Sequence, residues 1–219
     1  MCGLMSDFNS PYQFIAIEGN IGAGKTSLAR KIAKIHNAKL ILEQFEDNSF
    51  LPKFYKDQER YAFPLELSFL AERYQQLKDS LGVRDLFKNF TVSDYFINKS
   101  LIFSRKTLMQ DEFKLYSKLF EIMNQSIVKP ELLVYLYADV EHLQENIKNR
   151  GREYEQEIKD NYLEQIQESY FDFIKHQTNM RILIINTNDL DFVNNSDDFD
   201  LISSIIFKEY EVGIHRINP

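Results

Sequence analysis

The sequence predicts an α/β fold: a five-stranded parallel sheet with helices on both faces. Three observations lead there. Five short apolar runs are spaced along the chain, separated by longer stretches with helical periodicity. The runs are continuous rather than alternating, which is how strands buried on both faces read. The first run stops at a loop with three glycines that leads straight into a helical pattern. Strands alternating with helices make βαβ units, and those build parallel sheets.

Taken in order, QFIAIE (13–18) is the first strand, and Ser27 to Ile35 is a helix with Leu28, Ile32 and Ile35 on one face. AKLILE (38–43) is the second strand, followed by a loop and a short helix in DNSFLPKFYKD. A long helix runs from about Pro64, a residue suited to a first helical turn, to Leu81. NFTVSD (89–94) is the third strand and Asp111 to Ile127 a helix. ELLVYLYA (131–138) is the most apolar strand, and Val140 to Arg150 is helical. Gly151 interrupts that helix, and an acidic helical segment continues to about His176. MRILIIN (180–186) is the fifth strand, TNDLDFVNN a polar loop, and Phe199 to Tyr210 the last helix. Repeats and linkers are not evident, so residues 1–219 read as one domain, with 1–11 a short lead-in.

The chain has 219 residues, 44% hydrophobic and 27% charged, as expected of a soluble globular protein. Its 33 acidic and 26 basic side chains leave a net charge of -7, which argues against nucleic-acid binding by general electrostatics. A polyanionic ligand must then be held by a local basic cluster working against the global field. The single cysteine, Cys2, forms no internal disulfide and suits a cytoplasmic, reducing compartment. No apolar run is long enough to span a bilayer, and the N-terminal residues lack the layout of a signal peptide.

The loop fits GxxxxGK[ST] from Gly19 to Thr26, between a strand and a helix. Glycines allow a tight turn in which backbone N–H groups converge on phosphate oxygens, and the helix N-terminus adds its positive end. Gly19, Asn20, Ile21, Gly22, Ala23, Gly24, Lys25 and Thr26, with Ser27 following, are the expected nucleotide-binding residues. Lys25 can reach the β- and γ-phosphates of ATP and the Thr26 hydroxyl can ligate Mg²⁺. This places the chain in the P-loop NTPase fold. Ligands of open parallel sheets bind at the carboxyl ends of the strands. Glu43 ends the second strand and Asp94 the third. One carboxylate there can organise Mg²⁺, the other can take a proton from an attacking hydroxyl.

With these residues in view, the chain resembles the deoxyribonucleoside kinases, in particular the bacterial deoxyadenosine and deoxyguanosine kinase branch. IEGNIGAGKT is similar to that family's phosphate loop. The resemblance puts Glu43, in LEQFEDNSFLPKFYKD, on the general base and Tyr55 on the sugar 3′-hydroxyl. It puts Glu66, where the family usually carries glutamine, and Arg73 on the base-reading helix FPLELSFLAERYQQLK. Asp94, in VSDY, falls on the acidic position of a D/E-R-S motif. Arg150 and Arg152, in NIKNRGREYEQE, fall on a mobile lid of about residues 146–158, and Glu155 on the acid that closes over the sugar. The resemblance implies phosphorylation of a deoxynucleoside 5′-hydroxyl with Mg²⁺-ATP for nucleotide salvage, and a homodimer packed through helices. The aromatic-rich segment from Phe113 to Met123 could supply that surface or simply pack a core.

The sequence departs from the family in three places: Tyr95 stands where an arginine supports the base, Asn146 for the first lid arginine and Ser100 for an aspartate near the nucleobase. Arg60 and Arg105 are the candidates to replace the support missing at Tyr95. Positions 66 and 73 lie about two helical turns apart and can face one pocket; alternatively they form a surface salt bridge. Both purines can be drawn against them, guanine by local chemistry and adenine by resemblance. A nucleoside monophosphate kinase needs a further basic pocket, whereas Glu43, Glu46, Asp47 and Glu66 suit a neutral acceptor. A non-catalytic nucleotide switch is the third reading; NKSL at 98–101 is not the NKxD motif of a guanine-reading switch.

Overall fold

The computed structural model describes residues 9–44 and 48–219. Most of the expected lead-in, Cys2 included, lies outside the described residues, as do Glu46 and Asp47. The elements run β1 (Phe14–Gly19), α1 (Lys25–Ile35), β2 (Lys39–Ile41), α2 (Leu51–Lys56), α3 (Gln58–Leu81), β3 (Thr91–Ser93), α4 (Lys99–Thr107) and α5 (Gln110–Asn124). They continue with β4 (Leu132–Tyr137), α6 (Val140–Arg150), a 3-10 turn (Glu153–Glu155), α7 (Asp160–Lys175), β5 (Arg181–Asn186), α8 (Ser196–Ile206) and β6 (Gly213–Ile217).

The strands form one sheet in the order β2-β3-β1-β4-β5-β6, with every pairing parallel. All five expected strands are present. A sixth, β6, was not legible: GIHRI has no long apolar run, and as an edge strand it is only half-buried or exposed along its length. Because β3 inserts between β1 and β2, the carboxyl ends of these three strands adjoin. That brings the glycine loop, Glu43 and Asp94 together.

Alternation along β1 explains its uninterrupted apolar character. Ile15 and Ile17 face a core shared with Leu28 and Ile32 of α1, Leu143 and Ile147 of α6 and Ile202 of α8. Phe14 and Ala16 face the opposite core, with Ile166, Tyr170 and Ile174 of α7. A third cluster lies among helices, where Leu65, Phe69 and Leu70 of α3 meet Tyr116 and Phe120 of α5. Among the described residues no helix is long and apolar enough to cross a membrane.

Several helix boundaries depart from expectation. Helix α3 starts at Gln58, capped by the Asp57 side chain, which accepts from Arg60 N at 3.3 Å, so Pro64 lies inside the helix rather than in its first turn. The true cap carried a signal, an aspartate before a helical run, which the proline masked. Residues 95–109 contain a separate helix, α4, for which no expectation stood. The segment after Gly151 is a 3-10 turn before α7 begins, not continuous helix. The last helix starts and ends earlier than expected, with Asn195 as its cap.

Proline offers no N–H to the helical ladder, so Pro64 costs α3 one backbone hydrogen bond. Pro64→Ala should therefore raise stability by about 1 kcal/mol, after discounting the looser unfolded chain. Urea unfolding measures it; a destabilised variant would mean that the ring's packing outweighs the missing bond.

Candidate active site

The phosphate loop grows from the end of β1. Gly22 and Gly24 take positive φ, 87° and 80°. A Cβ at Gly22 would meet the Leu143 carbonyl oxygen at 2.6 Å, and one at Gly24 the Phe192 ring at 2.7 Å. Space and backbone conformation both demand glycine there. Asn20 fastens the loop, its Nδ2 donating to the Leu163 carbonyl at 2.8 Å and its Oδ1 accepting from Ile21 N at 2.9 Å. Asn146, where a lid arginine was expected by resemblance, donates from α6 to the Gly22 carbonyl at 3.0 Å. Lys25 Nζ donates to the Asn20 carbonyl at 2.7 Å, so it arches back over the loop. Burial, then the neighbouring Lys99 cation, lower Lys25 to about 8 against the pull of Glu18, Glu43 and Asp94.

Asp94 links the loop to β2. Its Oδ2 accepts from the Thr26 hydroxyl at 2.5 Å and its Oδ1 from the Glu43 backbone N–H at 2.8 Å. A carboxylate and a hydroxyl at the head of a phosphate loop are hard oxygen donors. Mg²⁺ suits such a pair, since it takes one or two protein oxygens and leaves other positions to phosphate and water.

Glu43 is clamped. Arg73 reaches its Oε1 through Nε at 2.7 Å and Nη2 at 2.6 Å, and Lys99 Nζ reaches its Oε2 at 2.5 Å. Burial acts to raise its pKa, but Lys99 and Arg73 overcome that and hold it at about 2. A depressed carboxylate pKa contributes stability above the unfolded value and loses it as pH falls towards 2. Beneath the two lysines lies Glu18, fully buried, accepting from Phe96 N at 3.1 Å and the Tyr170 hydroxyl at 2.7 Å. Burial raises its pKa, opposed by Lys99 and Lys25.

Two cavities open beside this cluster. The first, about 490 Å³, lies over the phosphate loop and also reaches Ser27, Arg30, Asn146 and the loop from Thr187 to Val193. The second, about 120 Å³, is lined by Tyr55, Glu66, Arg73, Glu155 and apolar side chains that include Phe69 and Phe103. They share Lys25, Thr26, Glu43, Asp94, Arg150 and Arg152. Arg150 and Arg152 both pair with the buried Glu155 carboxylate, Arg152 at 3.2 Å. Tyr55 stacks on Tyr154 of the 3-10 turn, ring centroids 6.2 Å apart.

The expected site residues thus gather at the carboxyl ends of the strands, although Gly19 and Asn20 line neither cavity. The surface salt bridge between Glu66 and Arg73 does not form: both are buried, and the ion-pair partner of Arg73 is Glu43. Arg60 and Arg105 are exposed and do not replace the support absent at Tyr95. Lys99, which the sequence reading missed, supports Glu43 instead. Its signal was faint: a lysine opening an unassigned helix, five positions after Asp94. Tyr95 is fully buried and donates to Gln76 Oε1 at 2.5 Å, while Ser100 accepts from Arg73 Nη1 at 2.8 Å.

A phosphate loop with two cavities meeting at a seam of carboxylates and cations defines a phosphoryl-transferring enzyme of the P-loop class. A family model described as deoxynucleoside kinase matches residues 15–210, and the chain belongs to that family. It is 35% identical over 195 residues to a deoxyguanosine kinase of Bacillus subtilis, covering 87% of this chain and 94% of that protein. It is 31% identical over 212 residues to a deoxyadenosine kinase of Dictyostelium discoideum, covering 94% and 83%. A deoxyadenosine kinase from M. mycoides, solved with bound dATP, shares the fold with a TM-score of 0.77 at 22% identity, covering 90% of this chain and 100% of that one.

Lys99→Gln removes one of the two cations that keep Glu43 ionised, so burial should raise the Glu43 pKa. Expected is a loss of kcat/KM of about tenfold near neutrality, deepening as pH falls towards about 5.5. A pH–rate profile with an unchanged acid limb would make Lys99 merely structural.

Proposed function

We propose that this kinase transfers the γ-phosphate of ATP to the 5′-hydroxyl of a purine 2′-deoxynucleoside, releasing the 5′-monophosphate for nucleotide salvage. The observation that carries this reading is the shared wall of the two cavities. A donor triphosphate in the larger one and an acceptor in the smaller one meet at Glu43, Lys25 and the arginines. The named purine kinases among its relatives support the acceptor class.

In this reading the backbone of residues 19–27 cradles the triphosphate and Lys25 leaves the Asn20 carbonyl for the β- and γ-phosphates. Thr26 and Asp94 would hold Mg²⁺, which would supply charge neutralisation to the triphosphate. Glu43 aligns the 5′-hydroxyl and accepts its proton. A carboxylate held at about 2 is a weak base, yet a weak base suffices. The attacking hydroxyl becomes strongly acidic only as its bond to phosphorus forms, so positioning matters more than early proton abstraction. Arg150 and Arg152 spread over the transferring group's negative charge from the lid. Tyr55 and Glu155 face the sugar, while Glu66 and Arg73 stand at the base end. A charged acceptor is poorly served. The cations of the smaller cavity already have roles in this reading: Arg73 and Lys99 hold Glu43, while Lys25, Arg150 and Arg152 serve the transferring phosphoryl group, which favours a neutral nucleoside over a monophosphate.

The finer assignments follow the same reading: a cytoplasmic enzyme, in keeping with one cysteine, and a homodimer. For the latter, α5 carries Leu115 and Ile122 on its exposed side, while Tyr116 and Phe120 are spent on the core.

Purified protein incubated with Mg²⁺-ATP and each natural deoxynucleoside should give a monophosphate from a purine. Glu43→Gln should lower turnover by about 10²–10⁴-fold with ATP affinity nearly unchanged. Normal turnover in that variant would remove Glu43 from the role. Tight ATP binding with no product from any nucleoside would leave a nucleotide switch.

A further inference from the structure

Glu66 is buried for no reason that the transfer chemistry supplies. It is 3% exposed, midway along α3, and its carboxyl faces the smaller cavity. A buried carboxylate without a cation beside it is costly. Arg73 lies two turns along the same helix, but its three nitrogens go to Glu43 and Ser100. What reaches Glu66 is hydroxyl chemistry. Among the described residues the donor to its carboxyl is Thr107 Oγ1, at 2.8 Å on Oε1, while the Tyr116 hydroxyl donates to its backbone carbonyl at 3.3 Å.

The charged and titratable groups around it come from several elements: Arg73 on α3, Lys99 on α4, Tyr116 on α5, Tyr55 on α2, Tyr162 on α7 and Glu43 after β2. Burial outweighs Arg73, Thr107 and Lys99 and pushes Glu66 up to about 7. Both forms of the carboxyl are therefore populated near neutrality.

Resting on the reading of this cavity as the nucleobase site of a deoxynucleoside kinase, we propose that Glu66 selects the purine by its protonation state. The carboxylate takes guanine and the carboxylic acid takes adenine. A carboxylate only accepts hydrogen bonds, whereas a carboxylic acid both donates and accepts. Guanine presents two adjacent donors, N1–H and the exocyclic amino group, and a carboxylate receives both. Adenine presents an acceptor, N1, beside its amino donor, and the acid matches that pair in a ring of two hydrogen bonds. Each crossed pairing sets a buried acceptor against an acceptor or a donor against a donor, and such mismatches discriminate far more strongly than shape. Phe69 and Phe103, apolar walls of the cavity, serve either base alike.

The consequence is a substrate preference set by pH. Supplying deoxyguanosine and deoxyadenosine together, at concentrations well below saturation, with Mg²⁺-ATP isolates it. The two monophosphates are measured from one reaction between roughly pH 6 and pH 8. Effects of pH on Lys25, Glu43 or ATP cancel in the product ratio, and neither base changes protonation over that range. If each form takes one purine only, the ratio of deoxyguanosine to deoxyadenosine product rises about tenfold per pH unit, whatever the Glu66 pKa. Glu66→Gln, whose amide always offers both donor and acceptor, should give a flat ratio. Thr107→Val, which removes the donor that favours the carboxylate, should shift the ratio about threefold towards deoxyadenosine at neutral pH.

Both products at a pH-independent ratio from the unaltered protein would overturn the proposal. So would a Glu66→Gln ratio that climbs as steeply as the unaltered one, since another group would then be titrating. Product from neither nucleoside would fail differently: it removes the purine-kinase reading, and this one falls with it.

Discussion

One oxygen of Asp94 receives the Thr26 hydroxyl while the other receives the backbone N–H of Glu43. The first partner belongs to the helix that follows the phosphate loop, the second to the chain leaving β2. These segments are distant in sequence and become neighbours because β3 lies between β1 and β2. Through this carboxylate, the phosphate loop and Glu43 are set relative to one another, which in the proposed reaction aligns donor phosphates and acceptor hydroxyl. Reacting groups brought into alignment before the chemical step contribute much of what a phosphoryl-transfer enzyme has to offer.

Charge is concentrated where the protein can least easily hydrate it. Glu18, Glu43 and Asp94 surround Lys25 and Lys99, with Arg73 closing one side. A chain with an excess of acid elsewhere thereby keeps three cations at this site. Each buried ion is tolerated because its neighbours are of opposite sign, and removing a single member leaves an uncompensated charge. Glu66 stands apart from this mutual compensation. Its carboxyl is met by the Thr107 hydroxyl rather than by a cation, and burial pushes it up to about 7.

Much of this could be read from the chain, for identifiable reasons. Strands β1, β4 and β5 announce themselves because burial on both faces keeps most of their positions apolar. The phosphate loop is legible because its glycines are required by space as well as by conformation. Glu43 and Asp94 follow from their place at strand ends. Lys99 was not legible, since a lysine's partner is decided by how α4 packs against α3, a long-range fact with no local signature. The pairing of Arg73 with Glu43 was missed for the same reason: spacing along one helix shows which side chains share a face and says nothing about what the sheet edge presents to them. Strand β6 escaped because an edge strand needs no continuous apolar run. The start of α3 was obscured by Pro64, whose local preference was overridden by the apolar contacts of Leu65, Phe69 and Leu70.

The contact between Gly24 and Phe192 reaches beyond the phosphate loop. The ring belongs to the segment after β5 that borders the larger cavity, and it lies where any side chain at position 24 would have to go. Cradle and border are in effect two jaws of one vice, with no clearance between them. The loop and the segment after β5 therefore cannot close on each other any further at this point, and the width of the cavity between them is fixed from one side by a residue without a side chain.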